Sequence, residues 1–343
     1  MNIKMLVRPN IRSLSAYEAK EIPCRVKLDA NESPYGFKID DAVLKQIKTN
    51  RYPDPEGKKI KQIISKNLGI KPANILLGNG SDELIYYLIT TFGGPVLYPT
   101  PTFSMYGIIA KALKEKCIAI KLDNEFDIDI EAVLKAIKKD KPRLIFLSSP
   151  NNPTGNCFSS EKILKIIGMS KGIVIVDEAY QPFSSERGFL PLLKDYRNLV
   201  IMRTLSKIGM AGLRTGFLIA DAEITEEVNK VRLPFNVNSL SQAIASKVLK
   251  DKGKLNSFIR SIVSERERLF EEMEKIKVIK LYPSEANFIL FRTGNADKVY
   301  QELLRKGVLV RNMKGVVNGC LRVTVGTKKE NEVFLKALKE VVL

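Results

Sequence analysis

Through the middle of the chain, short apolar runs rich in β-branched residues alternate with longer amphipathic stretches, the pattern of a parallel sheet wrapped by helices. The runs at 75–77, 96–98, 117–122, 144–148, 173–177, 199–203 and 216–220 read as strands. Between them, 83–92 and 131–138 carry apolar residues at helical spacing. From 259 to 276 the apolar residues Ile259, Ile262, Val263, Phe270, Met273 and Ile276 share one helical face among Glu, Arg and Lys, which predicts a long helix leaving the first domain. Beyond it come a strand at 287–291, a helix near 296–306, strands at 308–311 and 320–325, and a closing helix from Lys329. The expectation is an α/β fold with a second, smaller α+β domain.

With 343 residues, 45% of them hydrophobic, the chain can bury a sizeable core. The formal charge of +18 raises nucleic acid as a partner. The basic residues are scattered, however, and no helix-turn-helix, RNP or zinc-finger pattern accompanies them. No segment has the roughly 18 uninterrupted apolar residues of a membrane span, and no signal-peptide pattern opens the sequence, so a cytoplasmic location is expected. Cys24, Cys117, Cys157 and Cys320 are widely spaced without a C-x-x-C pair, which suggests reduced packing thiols. The chain contains no histidine. That removes Ser-His triads, Cys-His pairs and imidazole metal ligands together, leaving Lys, Tyr, Asp and Glu for acid-base work.

Ligands of a doubly wound sheet bind beyond the carboxyl ends of its strands, and four such loops carry polar signatures. Gly78-Asn79-Gly80-Ser81-Asp82-Glu83 is a Gly-rich turn into a helix start, where free N–H groups can hold a phosphate; an ordinary Ser/Asp helix cap also explains it. Ser148-Ser149-Pro150-Asn151-Asn152-Pro153-Thr154-Gly155 is a rigid turn presenting two Asn amides, or a plain turn. The strand ending Asp177-Glu178-Ala179-Tyr180 delivers a carboxylate and then a phenol, unless Asp177 is only a structural cap. Finally, Arg203-Thr204-Leu205-Ser206-Lys207 continues through small residues to Arg214. A lysine between hydroxyls and an arginine suits an imine-forming amine beside a phosphate site, although most lysines are simply solvated. All four loops occur together, and each supplies a different part that one cofactor requires.

These segments resemble the fold-type I pyridoxal-phosphate-dependent aminotransferases. The N-terminal Leu28-Asp29-Ala30-Asn31-Glu32-Ser33-Pro34 and the Arg51-Tyr52-Pro53-Asp54-Pro55 segment narrow the resemblance to the histidinol-phosphate aminotransferase subgroup, and it extends to Cys320 to Thr327. The resemblance covers essentially the whole chain. It implies a large cofactor-binding domain over 36–250 with a mostly parallel seven-stranded sheet flanked by helices. A small C-terminal domain over 251–343 would follow, with 1–35 forming an N-terminal arm and part of that small domain. Lys207 would carry pyridoxal 5′-phosphate through a covalent imine and then move the substrate's Cα proton. Asp177 would pair with the pyridine nitrogen, and Asn152 and Tyr180 with the phenolic oxygen. Phe103 would stack on the ring in place of the tyrosine common in relatives.

By the same resemblance, the phosphate would be held by Ser81, Asp82, Thr204, Ser206 and Arg214, and by Tyr52 from a neighbouring subunit, which makes a homodimer the expected assembly. Arg214 lies one residue nearer the lysine than in many members. Arg322 and Arg311 would bind the anionic ends of substrate, with Tyr17 and Asn31 nearby. The implied reaction is ping-pong transamination between histidinol phosphate with 2-oxoglutarate and imidazole acetol phosphate with L-glutamate, a step of histidine biosynthesis. Two alternatives stay open: a decarboxylase of a phosphorylated amino acid such as threonine phosphate, and an aromatic amino acid aminotransferase. No metal, nucleic acid or membrane is expected as a partner.

Overall fold

A computed structural model of the chain describes residues 3–15, 21–39 and 41–342; Tyr17 lies outside the described residues. Twelve strands follow in chain order: β1 Val26–Leu28, β2 Ile75–Asn79, β3 Val96–Thr100, β4 Cys117–Lys121, β5 Leu144–Ser148, β6 Ile173–Asp177, β7 Leu199–Thr204, β8 Thr215–Ile219, β9 Lys280–Leu281, β10 Phe288–Arg292, β11 Val308–Asn312 and β12 Cys320–Thr324. Seven form one sheet in the order β2-β8-β7-β6-β5-β3-β4. Its pairings are parallel except at β8, which runs antiparallel to both β2 and β7. Every residue of β5 and β8 is buried, as expected for strands covered on both faces.

The pleat divides the core. Leu147, Val176 and Ile201 belong to an apolar cluster that continues into Phe288 and Val323 of the second sheet. Phe146, Ile175 and Met202 point the other way, into a cluster with Leu88 and Tyr106. Counting outward from β5, the sheet proceeds to β6 and β7 on one side and to β3 and β4 on the other. A topological switch point therefore lies between β3 and β5, the position where a crevice opens at the carboxyl ends of parallel strands. The loops after β3, β5, β6 and β7 gather there.

The second sheet has the order β1-β11-β12-β10-β9, with β1 parallel to β11 and the other pairs antiparallel. The helix Lys252–Glu274 connects the two regions, buries Ile262, Arg266, Leu269 and Met273, and is capped by the Asp251 carboxylate accepting from the Lys254 amide at 3.0 Å. This helix begins seven residues before the stripe that foretold it. Its first two turns are mostly exposed, with only Leu255 and Phe258 half-buried, too few to extend the stripe clearly. The strand at 216–220 is present one residue earlier, and its antiparallel sense has no counterpart in its composition. Among the described residues no helix is long and apolar enough to cross a membrane, no group of three or more His, Cys, Asp or Glu could hold a metal ion, and all four cysteines are free.

Candidate active site

The helix Ser81–Phe92 starts immediately after Gly80, and no side chain caps its amino end. Its first amides therefore remain available to an anion. Two glycines make this approach possible. A Cβ on Gly216 would lie 2.9 Å from Gly80 C and from Ser81 N, and a Cβ on Gly80 would lie 2.5 Å from Arg214 Nη2. Gly80 also has φ +83°, a region that L side chains rarely adopt. Arg214 itself sits at φ +48° after the short turn Ala211–Leu213. That turn swings its guanidinium back onto the loop, where Nη2 contacts the Asp82 carboxylate at 3.1 Å and Nη1 the Ser206 hydroxyl at 3.5 Å. The Thr204 hydroxyl donates to Ser206 Oγ at 2.9 Å and accepts from the Ser206 amide at 3.1 Å. Ser81, Asp82, Thr204, Ser206 and Arg214 thus border one polar cradle, in which Arg214 is ion-paired with Asp82.

Asp177 closes β6 and is buried at 4% exposure. Its Oδ1 accepts from the Ala179 amide at 3.1 Å and its Oδ2 from the Tyr106 hydroxyl at 2.6 Å. Neither partner is a cation. Burial consequently pushes the carboxyl up to about 6, against the lowering effect of the Tyr106 and Ala179 hydrogen bonds. The adjacent carboxylate has the opposite fate. Glu178 is buried against Arg203, whose Nη2 and Nε lie 2.7 and 2.9 Å from its Oε2, and it accepts the Phe189 amide at 2.6 Å. One of two neighbouring acids is thereby neutralised within the protein, and the other is presented without a cation.

Lys207 follows β7 in the short turn Ser206–Ile208. Its Nζ lies 3.4 Å from the Ala30 carbonyl and 5.7 Å from the centre of the Tyr180 ring. Tyr180 is buried and packs edge-on against Phe288 at 5.2 Å. Its hydroxyl accepts from Asn31 Nδ2 at 3.0 Å. Asn31 adopts φ +54°, a conformation asparagine tolerates better than most residues. Its amide donates to Thr324 Oγ1, its Oδ1 accepts from the same hydroxyl, and its carbonyl accepts from Asn287. The side chain expected near substrate is thus engaged in tying Tyr180 to β12.

Arg322 on β12 donates to Asn152 Oδ1 and, at 2.8 Å, to the Asp29 carbonyl. Asn152 and Arg322, read from sequence as separate contacts, are therefore one unit. Arg311 pairs directly with Arg322 across the β11–β12 ladder, so both side chains leave the same face of that sheet. Phe103, after β3, meets Tyr106 edge-on at 5.6 Å. Tyr52 stands apart from this gathering: it is 81% exposed and stacks on Phe235 at 4.5 Å.

Sequence reasoning passed over Tyr106 and the Asp29–Ala30 carbonyls, and gave Asn151 no role apart from the turn that holds it. Asn151 is fully buried and holds the turn after β5 by accepting from Thr102 and donating to Pro101 O and Thr154. Its position inside the Pro-Asn-Asn-Pro turn was the available signal. Main-chain acceptors leave no mark on composition.

The family description "Aminotransferase class I and II" matches residues 15–338. The histidinol-phosphate aminotransferase of Aquifex aeolicus is 47% identical over 350 residues, covering 98% of each chain. Among solved structures, the histidinol-phosphate aminotransferase of Clostridium acetobutylicum superposes with a TM-score of 0.85 at 29% identity, covering 92% of this chain and 98% of that one. The Sinorhizobium meliloti histidinol-phosphate aminotransferase in complex with pyridoxal-5′-phosphate gives a TM-score of 0.85 at 24% identity, covering 98% and 97%.

Proposed function

The chain belongs to the class I and II aminotransferases, and on that premise we propose that it uses pyridoxal 5′-phosphate to exchange an amino group between histidinol phosphate with 2-oxoglutarate and imidazole acetol phosphate with L-glutamate. The donor set fits the cofactor. An uncapped helix start, two hydroxyls and Arg214 suit a phosphate, and Gly80 and Gly216 leave that cradle clear of Cβ atoms. A buried carboxylate lacking a cation suits a protonated ring nitrogen. When bound, the cofactor supplies an electrophilic aldehyde and an electron-withdrawing ring that accepts the electrons left when the substrate's Cα proton departs.

The residues then divide the work. Lys207 would provide the amine that holds the cofactor covalently and the base for the substrate's Cα proton. Asp177 would stabilise positive charge on the ring nitrogen. The Tyr180 hydroxyl and the Asn152 amide group would bond the ring's phenolic oxygen; they are held by Asn31 and Arg322 respectively. Phe103 offers an aromatic face. Arg322 grips a carboxylate or phosphate through its planar fork, and Arg311 adds a second cation on the same face. That paired arrangement is the observation favouring substrates with an anionic end remote from the amine, since glutamate and histidinol phosphate share that property.

A homodimer with shared sites completes the reading. Tyr52 and Leu233 are 81% and 63% exposed, and the half-exposed Tyr86 precedes Tyr87, whose hydroxyl accepts the Leu233 amide at 3.0 Å. An exposed apolar group of this kind suits burial against a second copy, and would bring Tyr52 to the neighbouring phosphate cradle. A reaction between small charged metabolites fits a cytoplasmic location.

The test is glutamate formation from histidinol phosphate and 2-oxoglutarate by the cofactor-loaded protein, with threonine phosphate assayed separately for carbon dioxide release. Glutamate formation that disappears in Lys207→Ala is expected. Carbon dioxide from threonine phosphate without glutamate formation would overturn the reading in favour of decarboxylation.

A further inference from the structure

The carboxylate of an aspartate turns easily, because its terminal torsion is broad and nearly two-fold. A ring nitrogen needs it in one plane. In this chain the orientation is fixed by a hydrogen bond to each oxygen, from the Ala179 amide on Oδ1 and from the Tyr106 hydroxyl on Oδ2. The first belongs to the same loop and moves with it. The second comes from the helix Met105–Ala112, on the far side of the sheet's buried face.

Tyr106 is well anchored for this purpose. It is fully buried, lies flat on Phe146 with ring centres 4.8 Å apart and planes 14° apart, and receives the edge of Phe103. Burial and the neighbouring Asp177 push its phenol well above its ordinary value, so it remains the donor. Because its ring has no freedom, its hydroxyl is a fixed point against which Asp177 is aligned. We infer that Tyr106 is a positioning residue that orients Asp177 toward the nitrogen of the bound cofactor. The inference rests on the cofactor reading above and extends it to a residue that touches neither cofactor nor substrate.

Tyr106→Phe removes one oxygen and keeps the ring stack, so the change falls on the hydroxyl's polar partners, Asp177 and Ser148, of which only Asp177 is placed to meet a ring nitrogen. The experiment compares wild type and Tyr106→Phe by equilibrium dialysis against pyridoxal phosphate and against its analogue with a carbon in place of the ring nitrogen. A hydrogen bond to a charged group is a strong one, so at least about a tenfold loss of affinity for pyridoxal phosphate is expected. Affinity for the analogue should stay within about threefold, since it offers no nitrogen for Asp177 to meet. Equal losses for both ligands would make Tyr106 a packing residue and overturn the inference, as would no loss for either. Failure of the wild type to bind pyridoxal phosphate would instead overturn the cofactor reading.

Discussion

Asp177 offers a test of the electrostatic argument that needs no substrate. Its carboxyl is pushed from 3.8 up to about 6 by burial. Holding it there disfavours the folded, cofactor-free chain at neutral pH by roughly 3 kcal/mol. The sign follows from proton counts. Between about pH 4 and 6 the folded chain binds the proton that the unfolded chain has already released, so stability falls as pH rises through this window and levels off above it. Asp177→Asn removes the charge while keeping the shape. Its Oδ1 can still accept from the Ala179 amide, and its Nδ2 can donate to the Tyr106 oxygen. The cofactor-free variant should therefore be more stable than wild type at pH 7.5 by up to roughly 3 kcal/mol, or roughly 4 °C in melting temperature for a chain of this length. The gap should close as pH falls toward 4. With pyridoxal phosphate bound the order should reverse, because only the carboxylate can compensate a protonated ring nitrogen. Thermal melts of both proteins from pH 4 to 7.5, with and without cofactor, make the comparison. A cofactor-free variant no more stable than wild type at pH 7.5, or a gap independent of pH, would refute the reasoning.

Arg322→Lys keeps the charge but loses the fork that reaches Asn152 and the Asp29 carbonyl together; KM for glutamate should rise at least about tenfold, more than kcat falls, in steady-state assays. Gly216→Ala drives a Cβ to 2.9 Å from the Gly80–Ser81 backbone. Cofactor affinity should drop about tenfold or more, with a stability loss of about 1–3 kcal/mol, measured by dialysis and denaturation. If Tyr52 serves the neighbouring site, mixing inactive Lys207→Ala with a Tyr52→Ala variant of low activity should rebuild one native site per hybrid dimer. Activity should then return to about a quarter of wild type after subunit exchange; no recovery would argue against shared sites.

The strands were legible because parallel strands buried on both faces must be nearly continuous in apolar residues, as 144–148 and 173–177 are. The reversed direction of β8 was not, since direction depends on how the chain returns from the Lys207 turn and leaves the composition of Thr215–Ile219 unaffected. β1 escaped because its three residues are too few to establish a period. Among the site residues, those just past a strand end were readable from loop chemistry. Tyr106 was not: within Met105-Tyr106-Gly107-Ile108-Ile109 it looks like any apolar-face aromatic, and only the fold brings its hydroxyl to a strand seventy residues later. The Asn152–Arg322 contact spans 170 positions and is equally invisible to local pattern.

The segment Asp29–Asn31 lies where the two sheets are tied together, touching Tyr180, Lys207 and Arg322. Several polar ties join the large sheet's loops to the second sheet and its long helix, among them Asn31 to Tyr180, Arg322 to Asn152, the Ser185 amide to Glu285, and Arg266 Nη1 to the Phe183 carbonyl at 3.0 Å while it also holds the Ala286 carbonyl at 3.1 Å. They are short-range and spread along the contact, so separating the two regions would have to break them together. The crevice between the sheets is thus closed at its back by side chains that hold one region to the other, like stitches along a seam.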